Sequence, residues 1–330
     1  MKIVIAIDSK IPVNLYGGTE RVIWYLGKEL SQMGHTISYL APEGSHCSFA
    51  KIIPLQKSRS IQEQIPRDTD LIHLHFNPEE IDQIKSPLLI TMHGNTNDQK
   101  PLHSNTVFVS SNHAARFGSS CYVFNGLDWN DYPLPNFKKE RSYFHFLGKA
   151  AWRIKNVQGA IDVIRATPNE TLRVLGGYRF NFKMGLRFTF SPRISFYGMV
   201  GGTLKTNLLN GSKGLIFPVR WHEPFGLAII ESLYYGCPVF GTPYGSLPEL
   251  IPKKFGYLSN KKNELADAIL NGSDYSSKAC HEYALNTFNS RKMSLAYLEK
   301  YKMILDRQQL NLTQPILQEI QKQKFLEWHD

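Results

Sequence analysis

The chain opens on an unbroken apolar run, Ile3-Val-Ile-Ala-Ile7, closed by Asp8. Its β-branched residues and short length predict a buried strand. From Glu20 to Met33 the period changes: Val22, Ile23, Leu26 and Leu30 share one face of a helix, which Gly34 ends. Residues 36–41 return to strand. Strand, loop, helix, strand is the building unit of a parallel α/β fold. Short apolar runs at 71–76, 88–92, 106–110 and 121–124 extend the series. The pattern breaks at Pro133-Leu-Pro135-Asn136 and then restarts. The second series predicts strands at 142–147, 172–175, 194–197, 214–218 and 238–241, with helices at 157–166, 203–209 and 227–235. Residues 261–307 read as mainly helical, and 313–328 as one further amphipathic helix. The expected architecture is two doubly wound α/β domains, residues 1–136 and 137–305, followed by a helical tail, 306–330. That tail is open to crossing back to the first domain, as in related folds, or to serving as an oligomer or membrane-surface helix.

Composition narrows the class. With 42% hydrophobic and 20% charged residues in 330, the chain is neither disordered nor low in complexity. No apolar run approaches the roughly 18–20 residues that span a bilayer. The opening run reads as a strand rather than a signal peptide, because no small-residue cleavage site follows it. The expected location is therefore cytoplasmic. Four cysteines, Cys47, Cys121, Cys237 and Cys280, lie far apart without a Cys-x-x-Cys pair, which suggests neither a zinc site nor a disulfide framework.

The net charge of +10 is unevenly placed. Residues 136–213 hold 14 lysines and arginines against only Glu140, Asp162 and Glu170. Within them Arg179, Lys183 and Arg187 alternate with Tyr178, Phe180, Phe182, Phe188 and Phe190. Such a stretch suits nucleic acid, an anionic membrane surface or a phosphorylated small molecule. The plainer alternative is a solvated basic surface whose aromatics belong to the core. No nucleic-acid module signature accompanies the stretch, so nucleic acid is not the expected partner.

The segment richest in chemistry runs Trp221-His-Glu-Pro-Phe-Gly-Leu-Ala-Ile-Ile-Glu231 and continues through Gly236-Cys-Pro-Val239 to Gly245-Ser-Leu-Pro-Glu249. If Gly226 opens a helix, Glu231 lies inside it and Glu223 in the preceding loop. The bare amides of a helix start suit a phosphate, and the carboxylates suit sugar hydroxyls. Taken alone, the two glutamates read sooner as a cap and a solvent-facing helix residue. Two adjacent glycines, Gly17 and Gly18, before the first helix offer amides to an anion in the same way. His73 and His75 share one face of a strand, which allows a metal site or two satisfied structural histidines.

In length and order the 223–249 segment resembles the Glu-x7-Glu signature of retaining, nucleotide-sugar-dependent glycosyltransferases of the GT-B fold, family 4. Other stretches resemble the family in the expected order: Tyr16-Gly17-Gly18-Thr19-Glu20-Arg21, Asp70-Leu-Ile-His73-Leu-His75, Thr91-Met-His93-Gly94, Asn125-Gly126-Leu127-Asp128 and Gly148-Lys149 through Lys155-Asn156. Lys149 stands where the family usually has arginine, and Asn156 where it has glycine. The resemblance covers about residues 1–305.

It implies two Rossmann-like domains facing a central cleft, the first on the acceptor side and the second holding the donor. Gly17, Gly18, Lys149 and Lys155 would face the donor diphosphate. Glu223 would hold hydroxyls of the donor sugar, with the backbone of Pro224, Phe225, Gly226 and Leu227 along sugar and phosphate. Glu231 would bind the ribose, Gly177 would lie near the base, and His93 would line the active site. The catalytic set expected on this basis is His93, Lys155 and Glu223.

The implied reaction moves a hexose-type sugar from a nucleotide diphosphate sugar to a hydroxyl of a glycan or lipid-linked acceptor, with retention and without metal or cofactor. Cell-surface polysaccharide or glycolipid synthesis, at the inner face of the membrane, is the implied setting. The competing readings are a sugar-nucleotide epimerase or phosphorylase of the same fold, and a non-catalytic protein that binds nucleic acid or an anionic surface.

Overall fold

The computed structural model describes residues 1–13, 17–181, 186–271 and 274–330. The chain forms two compact units, residues 1–129 with 288–321 and residues 130–287 with 322–330. In the first, β1 (Lys2–Ala6) leads through α1 (Gly18–Gln32) to β2 (Thr36–Ala41) and β3 (Lys51–Pro54), then by the short α2 (Ile61–Gln64) to β4 (Leu71–Leu74), β5 (Leu88–Met92), β6 (Thr106–Phe108) and α3 (Ser111–Arg116). The strands form one parallel sheet in the order β3-β2-β1-β4-β5-β6. Only Lys2 of β1 is exposed, as expected for a strand flanked by strands and covered on both faces.

The second unit repeats the plan. Its elements are β7 (Tyr143–Leu147), α4 (Val157–Arg165), β8 (Leu172–Leu175), the two-stranded β9 (Phe180–Asn181) and β10 (Arg187–Phe188), β11 (Ile194–Phe196), α5 (Gly202–Asn210), β12 (Ser212–Phe217), α6 (Leu227–Tyr234), β13 (Val239–Gly241), α7 (Leu247–Leu250), β14 (Gly256–Leu258), α8 (Lys262–Leu270) and α9 (Ser277–Thr287). The sheet order is β11-β8-β7-β12-β13-β14, the same winding as in the first unit. The chain starts at the middle of each sheet, builds one side, then returns to build the other. The reversal falls between β1 and β4 in one unit and between β7 and β12 in the other. In such sheets the diverging loops at the carboxyl ends of these neighbouring strands leave room for a ligand.

The last long helix, α10 (Ser290–Leu305), returns to the first unit, where Tyr297 and Tyr301 are fully buried. It was expected in the second domain. The turn Asn125-Gly126-Leu127-Asp128 anchors it, with Leu127 N donating to Phe288 O at 3.0 Å and Ser290 N to Leu127 O at 2.9 Å.

Two further expectations are corrected. Residues 121–124 form no strand, only a single bridge between Phe108 and Tyr122. Residues 306–330 form no helix. Their backbone bonds go outward to other segments: Leu102 N to Pro315 O, Ile316 N to Phe117 O, Leu326 N to Arg220 O and Lys262 N to His329 O. Pro315 removes a donor that a helix would use.

Candidate donor site and histidine row

At the strand reversal of the second unit, the loop after β7 tightens into a 3-10 turn, Arg153–Lys155, and the chain enters α4 through Asn156. Asn156 sits at φ 53°, in the left-handed region that asparagine tolerates best after glycine. Its side chain accepts from Gly159 N at 3.0 Å and donates to Pro218 O at 3.0 Å. Asparagine thus supplies the backbone conformation that glycine gives elsewhere, and adds a tie to the loop after β12.

That tie brings Lys155 to Glu223. Lys155 Nζ donates to Glu223 Oε2 at 2.5 Å, and Trp221 Nε1 donates to the same oxygen at 2.8 Å. The ammonium lies 4.9 Å from the Trp221 ring centroid and 5.4 Å from that of Phe217. Both charged residues are buried, Lys155 at 9% exposure and Glu223 at 6%. A buried ion pair costs desolvation that its Coulomb attraction only partly returns.

The continuation at Gly245 shapes this loop. Gly245 has φ +64°, and a Cβ there would lie 2.3 Å from both the N and the O of Glu223. Ser246 N donates to Glu223 O at 2.9 Å and Ser246 Oγ to Phe225 O at 2.6 Å. Gly226, at φ 89°, opens α6 with no side-chain cap, leaving the first amides of the helix to whatever lies before it. Pro224 and Phe225 are buried, and Leu227 begins the helix.

Glu231 lies in α6 with its own cation. Lys205 Nζ, from α5, donates to Glu231 Oε1 at 2.6 Å, and the Tyr132 hydroxyl donates to the same atom at 3.2 Å. The two glutamates therefore do not share one lysine. Each is paired separately, and Lys205 is a site residue that no sequence motif marks. Beneath α6, buried His145 bridges Ser212 Oγ at 2.6 Å and Ser232 Oγ at 2.9 Å. Burial lowers its pKa to about 3.

Two expected donor residues stand apart from this pairing. Lys149 is exposed and lies over the Trp152 ring at 5.0 Å. Gly177 follows β8, where a Cβ would come within 2.4 Å of the Ala150 Cβ. In the first unit Gly17 caps α1 without a side-chain bond and Gly18 begins the helix, while Tyr16 falls outside the described residues.

At the carboxyl ends of β4 and β5 the histidines form a row. His73 bonds the Tyr301 hydroxyl through Nδ1 and Thr91 Oγ1 through Nε2, both at 2.7 Å. His75 Nδ1 lies 2.8 Å from His93 Nε2. Burial holds His93 down at about 4 and His75 well below the usual histidine range. No three metal-ligating side chains come together among the described residues. Hydrogen bonds occupy both nitrogens of His73, and its ring packs on that of His75 with centroids 4.0 Å apart.

The basic stretch reverses its plainer reading. Tyr178, Phe180, Phe188 and Phe190 are exposed rather than in the core. The arginines turn inward onto carbonyls: Arg179 to Thr189, Ser191 and Ile194, and Arg187 to Ala150 and Tyr178. Phe182 and Lys183 fall outside the described residues. Among the described residues no helix is long and apolar enough to cross a membrane.

The paired parallel sheets define the GT-B class of glycosyltransferase fold. Residues 141–272, which carry Lys155, Lys205, Glu223 and Glu231, match the family described as glycosyl transferases group 1. Among solved structures it is similar to AviGT4, a glycosyltransferase involved in avilamycin A biosynthesis, at 17% identity and TM-score 0.71 over 92% of this chain and 98% of that one. Sucrose-phosphate synthase from Thermosynechococcus elongatus matches at 16% identity and TM-score 0.74, covering 93% and 100%. Anabaena Alr3699/HepE, solved with UDP and glucose, matches at 15% and 0.64, covering 92% and 99%. No curated protein matches the chain in sequence.

Proposed function

We propose that the protein transfers a hexose-type sugar from a nucleotide diphosphate sugar to a hydroxyl of a glycan or lipid-linked acceptor, with retention at the anomeric carbon. The observation that carries this reading is the buried Lys155–Glu223 pair at the strand reversal of the group 1 domain. A cation fixed there meets the negative charge that develops on a departing diphosphate. The uncapped amides at Gly226 add partial positive charge without a divalent ion. Glu223 takes sugar hydroxyls, and Glu231, steadied by Lys205, takes the ribose. Gly177 lies beside the base, and Lys149 swings to the outer phosphate. The solved relative that holds UDP and glucose supports a nucleotide-sugar donor.

In this reading retention follows a front-face course. The C1–O bond to the diphosphate breaks as the acceptor oxygen bonds to C1 on the same face, and the departing phosphate takes the acceptor's proton. Attachment to the inner membrane face belongs to the same proposal. Exposed Phe180, Phe188 and Phe190 support it.

The test is transfer from a panel of nucleotide sugars in chelator, with NMR of the product anomer. Transfer with retained configuration is expected. An inverted product, loss of transfer in chelator, or simple interconversion of free sugar nucleotides contradicts the respective part.

A further inference from the structure

His75 and His93 are joined by one hydrogen bond, Nδ1 to Nε2 at 2.8 Å. Both rings are neutral near pH 7, since burial lowers both pKa values. One proton therefore lies between them, and the question is which ring owns it. His75 is 8% exposed, and its other nitrogen, Nε2, is buried without any hydrogen-bond partner. The His73 ring packs on it with centroids 4.0 Å apart and has both its own nitrogens occupied.

If His93 donated, His75 would accept at Nδ1, and its single proton would have to sit on the sealed Nε2. That would orphan a buried N–H, the rarer kind of unsatisfied group. If His75 donates from Nδ1, only a lone pair is left unpaired at Nε2. The second arrangement costs less, and it fixes His93 as well. With Nε2 accepting, the His93 proton must be on Nδ1. That nitrogen has no partner among the described residues and is not among the side-chain atoms sealed from solvent.

We propose that His75 is a positioning residue that locks His93 in the Nδ1–H tautomer, so that His93 presents an N–H donor to an oxygen of the substrate beyond the carboxyl end of β5. His93 then steadies a sugar hydroxyl or phosphate oxygen and takes no proton. The identity of that oxygen rests on the glycosyltransferase reading; the tautomer does not. Free imidazole favours Nε2–H, so the protein imposes the less common form. The placement of His73 in β4 and of His75 just past its end fits this division: one ring is saturated by Tyr301 and Thr91, the other left to orient His93.

Long-range proton–nitrogen spectra of the intact protein labelled with 15N-histidine, at neutral pH, test the proposal, with His93→Gln and His75→Phe assigning the signals. Protonated Nδ1 on both His75 and His93 is expected. Nε2–H on His93 overturns the proposal, and this wild-type spectrum decides even if a variant fails to fold. His75→Phe should turn His93 over to Nε2–H and lower kcat/KM for sugar transfer about tenfold. His75→Asn, whose amide N–H takes the place of Nδ1–H, should restore much of both. Equal loss in the two variants overturns the positioning role. Absence of sugar transfer by the wild-type protein would instead overturn the functional reading, leaving the tautomer to be judged by its spectrum.

Discussion

Lys155 and Glu223 hold each other in a site closed to water, so removing either charge strands its partner. Lys155→Met should lower stability by about 3–5 kcal/mol, the usual cost of an uncompensated buried charge, and abolish transfer. Adding Glu223→Gln should recover most of the stability and none of the activity. Denaturant melts of the two single variants and the double variant check this, and additive losses would show that the pair is not coupled. The buried histidines give a second prediction. Their pKa values lie below the unfolded value of 6.5: about 4 for His93 and about 3 for His113 and His145, each chiefly through burial. The unfolded chain therefore binds more protons below pH 6.5, and stability falls as pH drops from about 6.5 towards 4. Melting temperatures at pH 7.5 and 5.0 should differ by several degrees; equal values would contradict neutral buried rings. Lys155, Glu223 and Glu231 stood out in the sequence through the family resemblance of the segments that carry them, since the spacing of the two glutamates alone marks no site. Lys205 did not, because a lysine on a polar helix face looks like any solvated cation until α5 and α6 pack.

Among the elements, the loops after β12 and β13 decide where Glu223 points. Gly245→Ala would force a side chain into left-handed backbone and into the Glu223 peptide. We expect a loss of about 2 kcal/mol or more and a rise of at least tenfold in the donor KM; a variant with unchanged KM would separate Gly245 from the site. The long periodic elements α1, α6 and the central strands were readable from their patterns. β3 and β14 were not: each has only three or four residues, and Lys51–Pro54 is half-exposed at a sheet edge with no alternation to read. The 313–328 pattern misled for the opposite reason. Leu317 is buried there while Ile316, Phe325 and Leu326 are half-buried, each against a different neighbour along a non-helical path, and their spacing mimics one face of a helix.

Across the molecule, the same strand order recurs in both units, and Gly17 and His75 follow the strands that flank the reversal in the first, β1 and β4, as Lys155 and Glu223 follow β7 and β12 in the second. The final residues reinforce one of these sites. Phe325 lies 5.0 Å from the Arg153 guanidinium and 5.4 Å from that of Arg220, and Arg220 Nε donates to Leu326 O at 2.8 Å. These arginines sit beside Lys155 and before Glu223, so the strap holds both loops from behind. Phe325→Ala should raise the donor KM about three- to tenfold through loss of contacts worth roughly 0.5–2 kcal/mol; an unchanged KM would make the strap passive.

The central claim is that the Lys155–Glu223 site grips a sugar-linked diphosphate. Calorimetric titration of the wild-type protein with UDP-, GDP- and ADP-sugars tests it most directly, with Lys155→Met, shown folded by its melt, alongside. One donor should bind the wild-type protein, with its affinity cut at least tenfold in the variant. Binding of none of them, or equal binding by both proteins, would contradict the account.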